Sequence, residues 1–477
     1  MSTIAQPRGA LAIVLHTHMP YVEGFGTWPF GEEWLWEAIA GCYLPLLDLL
    51  DARKAPVTLS ITPVLADQLA APDLAARFAR FIDGTRRFTH AEDASGLRAG
   101  GHHGLADELE RAWRADYEHA AERMAARGGD LPRAFAPHAR WTSSATHAVL
   151  PLLATDAGVR LQAQSGIAAH SDRFGGWRGG FWLPECAHAP HLEPILAAAG
   201  ARRTCVELTR RLGLGAREHL RPLVCESGVA LFPIDRATIA LVWSDAGYPA
   251  HGHYRDYHRH TVHHHNPWRN DGGAYDHELA LVRAREHAAD FVTRTRTRLR
   301  RDGAGLPGGG LAVCALDTEL LGHWWYEGLA WLEAVIEECA AQELELVCLD
   351  DASERFEPLS VDTAEWTASS WGEHGDLSTW SGPAVAEPAF AMRARELATL
   401  AAAHGRVGPA AVRELLALQA SDWAFMISRG LAVPYARERF EGHRRAFAQA
   451  LREGPQASVG GLRELAAGAD PSVLLAP

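Results

Sequence analysis

Short apolar runs alternate with helical stretches through about the first 350 residues of the chain. The runs have the length and composition of buried strands, and turn residues bound them. On this basis we predict strands at residues 11–15, 57–61, 179–183, 229–234, 311–316 and 344–349. Strands that alternate with helices are typical of a parallel α/β barrel or a doubly wound sheet.

The strand pattern stops at about residue 385. Beyond it, apolar side chains recur at helical spacing. The sequence therefore predicts an α/β domain over residues 1–385 and an all-helical domain over residues 386–477. The residues that carry the helical pattern are Val412, Leu415, Leu416, Phe440, His443, Phe447 and Leu451.

Polar side chains come directly after several predicted strands. In parallel α/β barrels the chemistry sits at the carboxyl ends of the strands, so these side chains are expected to converge. The set consists of His16, His18, Glu185, Asp317, Asp350 and Asp351.

Glu185 and Asp317 form a candidate carboxylate pair. Two carboxylates across a cleft are the minimum apparatus for cleaving a glycosidic bond. Alternatively, each could simply cap the helix that follows it, since acidic residues are favoured near helix N-termini. Trp182, Trp324 and Trp325 lie close by in the sequence and favour the first interpretation, because flat apolar rings stack on sugars.

Two groups of histidines admit a metal interpretation. His16 and His18, two apart after a strand, could be ligands, but hydrogen bonding to sugar hydroxyls is the favoured use. Residues 251–277 hold eight histidines. Such a tract can bind transition metals, but a polar surface loop is the favoured interpretation.

Composition narrows the functional classes. The 477 residues include 46 Lys plus Arg and 59 Asp plus Glu, a net charge of −13. This balance argues against nucleic acid or an anionic membrane as a partner. No apolar run approaches the roughly 18 residues that span a bilayer, and residues 10–15 are predicted as a buried strand and not as a signal peptide.

Cysteine and tryptophan usage add two further expectations. The seven cysteines are scattered without CxxC spacing, which favours a reducing cytoplasm over a disulfide framework. The chain also has 16 tryptophans. Most are expected in the core, but the surplus is compatible with stacking on a sugar ligand.

Five ordered motifs resemble the signature regions of glycoside hydrolase family 57. They are HTHMPYV (16–22), ATHAVLPLL (145–153), FWLPECAH (181–188), LDTELLGHWWYEG (316–328) and SSWGEHGDLSTW (369–380). The resemblance extends to TPVLADQL (62–69), GYPAHGHYRDYHR (247–259) and QASDWAFMISRG (419–430). It implies a distorted (β/α)7 barrel, a small inserted domain at about 190–230 and a C-terminal helical domain that completes the cleft.

The resemblance also implies roles for individual residues. It implies a retaining mechanism without cofactor or metal, with Glu185 as nucleophile and Asp317 as general acid/base. Tyr248 matches a tyrosine of a mobile catalytic loop, and the implied role of this tyrosine is to favour a sugar hydroxyl over water as acceptor. The alternative is that Tyr248 only occupies a turn and has no catalytic role. Glucan-binding positions are implied for His16, His18, Trp28, His147, Trp371, Trp380 and Asp422 and, less directly, for Trp268 and Arg269.

The motifs SDW and WSDAGYP resemble the 1,4-α-glucan branching enzymes within that family. This implies transfer of an α-1,4-glucan chain to a 6-hydroxyl, an α-glucan of glycogen type as substrate, and a cytoplasmic monomer or weak homo-oligomer. An α-1,4-glucan hydrolase or a 4-α-glucanotransferase is the alternative with the same chemistry. A non-catalytic glucan-binding protein and a metal-dependent barrel hydrolase or deacetylase are alternatives of other classes.

Overall fold

The computed structural model describes residues 9–26, 30–402 and 407–475. Ten strands lie in one sheet across these residues. The strands are β1 (Ala10–Thr17), β2 (Thr58–Ile61), β3 (Ala139–Ser143), β4 (Gly180–Trp182), β5 (Arg203–Val206), β6 (Leu223–Val224), β7 (Ala230–Pro233), β8 (Leu311–Asp317), β9 (Glu345–Leu346) and β10 (Leu359–Ser360).

Seven parallel strands form a distorted barrel. They run in the order β7-β5-β4-β3-β2-β1-β8, and β9 pairs with the first residues of β1. The two ends of the sheet meet. The backbone N–H of Asp235, just after β7, donates to the carbonyl of Val313 in β8 at 2.8 Å. Outside the barrel, β6 pairs antiparallel with β7, and β10 extends it. The predicted (β/α)7 barrel is confirmed.

Each predicted strand overlaps a strand of the structure, but the sequence missed four others. β3, β5 and β10 carry polar or charged residues, and β6 is only two residues long, so these four lack the apolar run that marks the rest. β5 also corrects the insertion expected at about 190–230: it lies in that range, yet it is a barrel strand between β4 and β7.

Twenty α-helices surround and follow the sheet in the described residues. Three π-helical segments, Ile39–Tyr43, Phe81–Arg86 and Trp113–Glu118, join consecutive helices early in the chain. The helices are α1 (Glu32–Ala38), α2 (Leu44–Arg53), α3 (Pro63–Leu69), α4 (Leu74–Arg80), α5 (Arg87–Ala99), α6 (His103–Ala112), α7 (His119–Ala126), α8 (Leu131–Phe135), α9 (Asp156–Phe174), α10 (Leu192–Ala198), α11 (Thr209–Leu212), α12 (Arg236–Ile239), α13 (His277–Asp302), α14 (Gly328–Ala341), α15 (Leu349–Arg355), α16 (Ser378–Ser381), α17 (Ala386–Ala402), α18 (Pro409–Leu418), α19 (Ser421–Arg429) and α20 (Val433–Glu453).

Packed side chains fill the interior of the barrel. All eight residues of β1 are buried, since this strand lies between β8 and β2. Trp141 of β3 is fully buried and lies against Gly180 of β4, where an added Cβ would come within 2.1 Å of the indole. A larger residue than glycine at 180 would therefore displace Trp141. The interior of the barrel is closely packed at this level.

The helical tail packs against the barrel. No described residue after Ser360 forms a strand. The predicted helical spacing is confirmed, because Val412, Leu415 and Phe447 lie in one buried apolar cluster of α18 and α20. The hydroxyl of Thr146, in the segment after β3, donates to the carbonyl of Leu416 at 2.5 Å. The tail therefore contacts the strand ends directly.

No helix in the described ranges is both long enough and apolar enough to cross a bilayer.

A buried ion pair connects α13 to the barrel near the closure. The guanidinium of Arg298 donates to both carboxylate oxygens of Asp235, at 2.7 and 2.9 Å. Arg298 also donates to the carbonyls of Gly215 and Ala216. Asp235 is fully buried and Arg298 is 8% exposed, so neither charge has water to replace its partner.

Asp235→Ala is expected to lower the free energy of unfolding by about 3 kcal/mol, because the buried Arg298 guanidinium loses two hydrogen bonds and keeps the partly exposed Asp302 as its remaining described counterion. Thermal unfolding followed by circular dichroism measures the effect. The matched control is Arg301→Ala on the same helix, whose exposed side chain pairs with Asp302, and it should leave the melting temperature unchanged. Equal melting temperatures for both variants would contradict a structural role of the buried pair.

Candidate active site

The floor of the site is built from β1 and β4. His16, near the end of β1, is buried and stacks on Trp182 of β4, with ring centroids 4.7 Å apart. Its Nδ1 lies 3.3 Å from the hydroxyl of Ser60 in β2, and its Nε2 lies 2.9 Å from Nε2 of His147. The imidazole is therefore held in one orientation by three elements of the barrel.

His18 and His147 connect this floor to the helical tail. Their rings stack with centroids 3.9 Å apart. Nδ1 of His147 lies 2.8 Å from the hydroxyl of Ser421, and Nε2 of His18 lies 2.9 Å from Oδ1 of Asp422. Ser421 and Asp422 begin α19, so the tail supplies polar groups to the site. The glucan-binding role of Asp422 stays a prediction.

The three histidines differ in their tendency to be charged. Burial lowers the pKa of His16 and of His147 well below the ordinary value, and the neighbouring His18 lowers both further. Burial acts in the same direction on His18, but the carboxylate of Asp422 and others nearby outweigh it and raise its pKa. Two neutral imidazoles thus lie beside one that readily takes a proton.

Glu185 lies on a tight turn directly after β4. Its φ is 60°, that of Cys186 is 49° and that of His147 is 59°, all in the left-handed region that side chains other than glycine avoid. Such strain clusters at functional sites, where surrounding structure holds it in place. The indole Nε1 of Trp371 donates to Oε2 of Glu185 at 3.0 Å, and the backbone N–H of Trp371 donates to its carbonyl.

The environment of Glu185 favours its neutral form overall. Burial raises the pKa of its carboxyl, and the charge of Asp422 raises it further. Hydrogen bonds from Trp371 and Ser421 act in the opposite direction and favour the carboxylate.

Asp317 is the last residue of β8, in register with His16 of β1. Burial raises the pKa of Asp317 well above its ordinary value, and the charges of Glu319 and Glu185 raise it further. The two predicted carboxyls are therefore close enough to interact. The charge of Glu185 therefore favours the protonated form of Asp317, whereas the hydrogen bonds that Glu185 accepts favour its own carboxylate form.

Glu319 is a third carboxyl that the sequence interpretation missed. It accepts hydrogen bonds from the hydroxyl of Tyr43 at 2.7 Å and from the backbone N–H of His18 at 3.1 Å. Burial raises its pKa to about 7, against the hydrogen bond from Tyr43. Its position two residues after Asp317 is the sequence feature that could have identified it as a site residue. Nothing in the sequence except polarity marks the three residues that orient the histidines, Ser60, Thr62 and Ser421.

Asp350 and Asp351 correct the expected set. They open α15 after β9, which is only two residues long and pairs with Ala10 and Leu11 at the start of β1. They therefore lie at the amino-terminal end of the barrel. There Asp350 lies 3.4 Å from the guanidinium of Arg203, the first residue of β5.

Tyr248 contacts α13 in this structure, and no described contact joins it to Glu185 or Asp317. Its hydroxyl donates to Asp290 of α13 at 2.7 Å, and its ring stacks on His287 with centroids 4.6 Å apart. Its predicted role over the active site would therefore require this loop to leave α13, and it stays a prediction.

The predicted tryptophans fall in different places. Trp371 contacts Glu185 as described, whereas Trp380 is 2% exposed and packs in an apolar cluster with Val149 and Ala187. That packing gives no support to a glucan contact for Trp380. Trp28 lies outside the described residues.

Trp268 and Arg269 are held by local contacts. The guanidinium of Arg259 lies over the Trp268 ring at 4.4 Å, and Arg269 pairs with Asp271 at 3.1 Å. No described contact joins either residue to Glu185 or Asp317.

The histidine-rich segment folds back onto α5. His263 pairs with Asp93 at 2.8 Å, and the rings of His265 and His90 lie 3.7 Å apart. Within the described ranges no three His, Cys, Asp or Glu side chains are grouped as a metal site. His263 and His265 thus anchor this segment on α5, and the side chain of His265 is buried there.

Comparison with known proteins agrees with this barrel and its helical tail. The model of glycosyl hydrolase family 57 matches residues 141–364, and that of the 1,4-alpha-glucan branching enzyme C-terminal domain matches residues 386–465. The chain is 32% identical over 92% of its length to a 1,4-alpha-glucan branching enzyme of Thermococcus kodakarensis, of which it covers 73%. The chain therefore belongs to glycosyl hydrolase family 57.

Two further relatives extend this result. A probable 1,4-alpha-glucan branching enzyme of Mycobacterium tuberculosis is 33% identical over 98% of this chain and 95% of its own length. The crystal structure of a family 57 branching enzyme from Pyrococcus horikoshii superposes with a TM-score of 0.88 at 28% identity, covering 98% of this chain and 97% of that one.

Asp422→Asn is expected to lower the pKa of His18 by at least about 1, because it removes the anion bonded to the imidazolium. Histidine-resolved NMR titration measures this. The matched control is Asp51→Asn, which breaks the surface contact between Asp51 and His138 and should leave the His18 titration unchanged. An unaltered His18 pKa in Asp422→Asn would contradict the contact between barrel and tail.

Proposed function

We propose that this chain is a 1,4-α-glucan branching enzyme that works by a retaining double displacement. The observation that carries the proposal is the buried, electrostatically coupled pair Glu185 and Asp317 at the ends of β4 and β8. In such a pair one carboxyl is ionised while the other keeps a proton, as cleavage with a nucleophile and a general acid requires.

In the first step Glu185 attacks the anomeric carbon of an α-1,4-linked glucose. The bond to the leaving 4-oxygen breaks, and Asp317 gives that oxygen its proton. The glycosyl group is then an ester on Glu185, which is neutral. Asp317 has lost a proton and faces one negative charge fewer, so its pKa falls and it becomes a competent base.

In the second step a 6-hydroxyl of another glucan attacks the same carbon. Asp317 takes the hydroxyl proton, the ester bond breaks and an α-1,6 branch forms. Two inversions at one carbon give net retention. His16, His18 and His147 are proposed to contact sugar hydroxyls by exchanging a protein partner, because every ring nitrogen of the three already lies at hydrogen-bond distance from a protein atom.

The helices after residue 386 are proposed to form a separate domain that completes the cleft. Ser421 and Asp422 support this, since their side chains hydrogen-bond His147 and His18. The barrel domain is then residues 1–385.

The biological setting follows from the same chemistry. We place the enzyme in the synthesis of a glycogen-type storage polysaccharide, acting as a monomer or weak homo-oligomer. All seven cysteines are buried free thiols, which supports a reducing cytoplasmic location.

Hydrolysis of α-1,4-glucan is the second candidate, and the position of Tyr248 favours it. With Tyr248 bonded to Asp290, this side chain does not shield the ester on Glu185 from water. Branching requires a state in which the loop covers the cleft.

Glu185→Gln is expected to reduce both branching and hydrolysis by about 10⁴-fold or more, because an amide is a poor nucleophile. The assay incubates the enzyme with amylose, then debranches the product and analyses chain length. The matched control, Asp351→Asn, changes an exposed carboxylate at the opposite end of the barrel and should retain activity within about twofold. Residual activity above a tenth in Glu185→Gln would remove it from the mechanism. Unbranched products from the unaltered enzyme would leave hydrolysis or linear transfer as the function.

Tyr248→Ala is expected to lower the ratio of new α-1,6 links to released reducing ends at least tenfold. About 1.4 kcal/mol of differential stabilisation suffices for that change. Tyr248→Phe loses the hydrogen bond to Asp290 but keeps the ring that would exclude water, so it should keep most of the ratio. Linkage analysis and reducing-end assays on the same samples test both variants. Equal falls in transfer and hydrolysis, or equal ratios in the two variants, would contradict a water-excluding role of the ring.

A further inference from the structure

Glu193 of α10 is a buried carboxylate that the catalytic steps do not use, and it lies between two segments of the active site. Its Oε1 lies 2.8 Å from Nε2 of His188, and its Oε2 accepts a hydrogen bond from the hydroxyl of Thr363 at 2.8 Å. His188 ends the turn at residues 185–188, and Thr363 begins the segment at residues 363–371. We call these the Glu185 turn and the Trp371 segment. One carboxylate thus contacts both of them.

The two segments pair with each other along their backbones. The backbone N–H of His188 donates to the carbonyl of Ser369 at 2.9 Å, and the backbone N–H of Ser369 donates to the carbonyl of His188 at 3.0 Å. The backbone N–H of Trp371 donates to the carbonyl of Glu185 at 3.0 Å. The indole of Trp371 also donates to Oε2 of Glu185 at 3.0 Å. The position of this indole against the carboxyl of Glu185 therefore depends on the register between the two segments.

The Glu185 turn needs support from outside itself. Glu185 and Cys186 both have positive φ angles, 60° and 49°. Side chains other than glycine keep such a conformation only where the surrounding structure opposes relaxation. The bond between His188 and Glu193 holds the far end of this turn on α10, so Glu193 opposes its relaxation.

The surroundings of Glu193 favour its ionised form. Burial alone would raise the pKa of its carboxyl, but the hydrogen bonds from His188, Thr363 and Cys225 outweigh burial and lower the pKa. An ionised carboxylate is an acceptor only, and hydrogen bonds to it are shorter and stronger than those between neutral groups. Glu193 therefore draws donors from both segments toward one point.

We propose that Glu193 is a positioning residue, whose carboxylate holds the Glu185 turn against the Trp371 segment and so keeps the indole of Trp371 bonded to the attacking carboxylate. The inference rests on the proposed role of Glu185 as nucleophile, but not on the choice between branching and hydrolysis. No described contact joins Glu193 to Glu185 or Asp317, so Glu193 acts through the residues that it holds.

Glu193→Leu removes both hydrogen bonds and keeps an apolar side chain in place. The indole N–H resonance of Trp371, identified in NMR spectra by its loss in Trp371→Phe, reports the ionisation of Glu185, because the two groups are bonded. The midpoint of its pH titration should rise by at least about 0.5 pH units in Glu193→Leu, since a weaker indole bond favours the neutral carboxyl. Glu193→Gln should keep the midpoint within about 0.2 pH units, because its amide can accept from His188 and donate to the hydroxyl of Thr363.

The other groups that act on the titration of Glu185 are unchanged in these variants. They are His18, His147, Asp317, Ser421 and Asp422. A shift of the midpoint therefore reports the bond between the indole and the carboxyl.

Glu414→Leu is the matched control, because Glu414 is also buried and lies 2.9 Å from a histidine, His443, in the helical tail. It should lower the melting temperature but leave the indole titration unchanged. Thr363→Val removes one of the two bonds to Glu193 and should raise the midpoint by less than Glu193→Leu, which keeps the inference testable if Glu193→Leu does not fold. An unmoved midpoint in Glu193→Leu or in Thr363→Val, or an equal rise in Glu414→Leu, would overturn the positioning role.

Cleavage of amylose gives a second measurement. Glu193→Leu should lower kcat about tenfold with KM within about threefold, because a displaced nucleophile slows the chemical step more than it weakens binding. The double variant with Trp371→Phe should be no slower than Trp371→Phe alone, since Glu193 acts through the indole. Losses that multiply in the double variant would overturn the positioning role. If the unaltered enzyme cleaves no α-1,4 links, the proposed function is overturned, and the indole titration still decides the role of Glu193.

Discussion

Two carboxyl groups buried at the same end of one barrel, Glu185 and Asp317, cannot both hold a negative charge at low cost. Water is largely excluded from both, and the charge of Glu185 raises the pKa of Asp317. The hydrogen bond from Trp371 favours the ionised form of Glu185, whereas Glu319 favours the protonated form of Asp317. The environment therefore favours a pair that keeps a proton before a substrate arrives, and a pair that holds one proton and one charge can supply both an acid and a nucleophile.

This constraint explains why the site draws on so many elements. Glu185 and His147 both adopt left-handed backbone conformations, and the contacts around them oppose relaxation. One of these contacts comes from the barrel loop at Trp371 and another from α19 at Ser421. The barrel alone would leave His147 without its hydroxyl partner and His18 without its carboxylate. The helical tail is thus part of the electrostatics of the site.

The sequence predicted what depends on local pattern and missed what depends on packing. Long apolar strands such as β1 and β8, and the polar residues after them, were recognised because burial leaves a direct mark on composition. β5 was missed because four residues beginning with Arg203 carry no such mark. Asp350 was misplaced because its strand ends at the other face of the barrel. The contact between Tyr248 and Asp290 joins distant residues that no periodicity connects.

Trapping the covalent intermediate tests the central claim most directly. In Asp317→Ala, an activated maltoside whose leaving group needs no proton should still glycosylate the enzyme, and the ester should then accumulate because no base activates the acceptor. Mass spectrometry of the digested protein should find the sugar on the peptide that contains Glu185, and azide should release a product of retained configuration. A sugar on another residue, no adduct at all, or an inverted product would contradict the division of roles between Glu185 and Asp317.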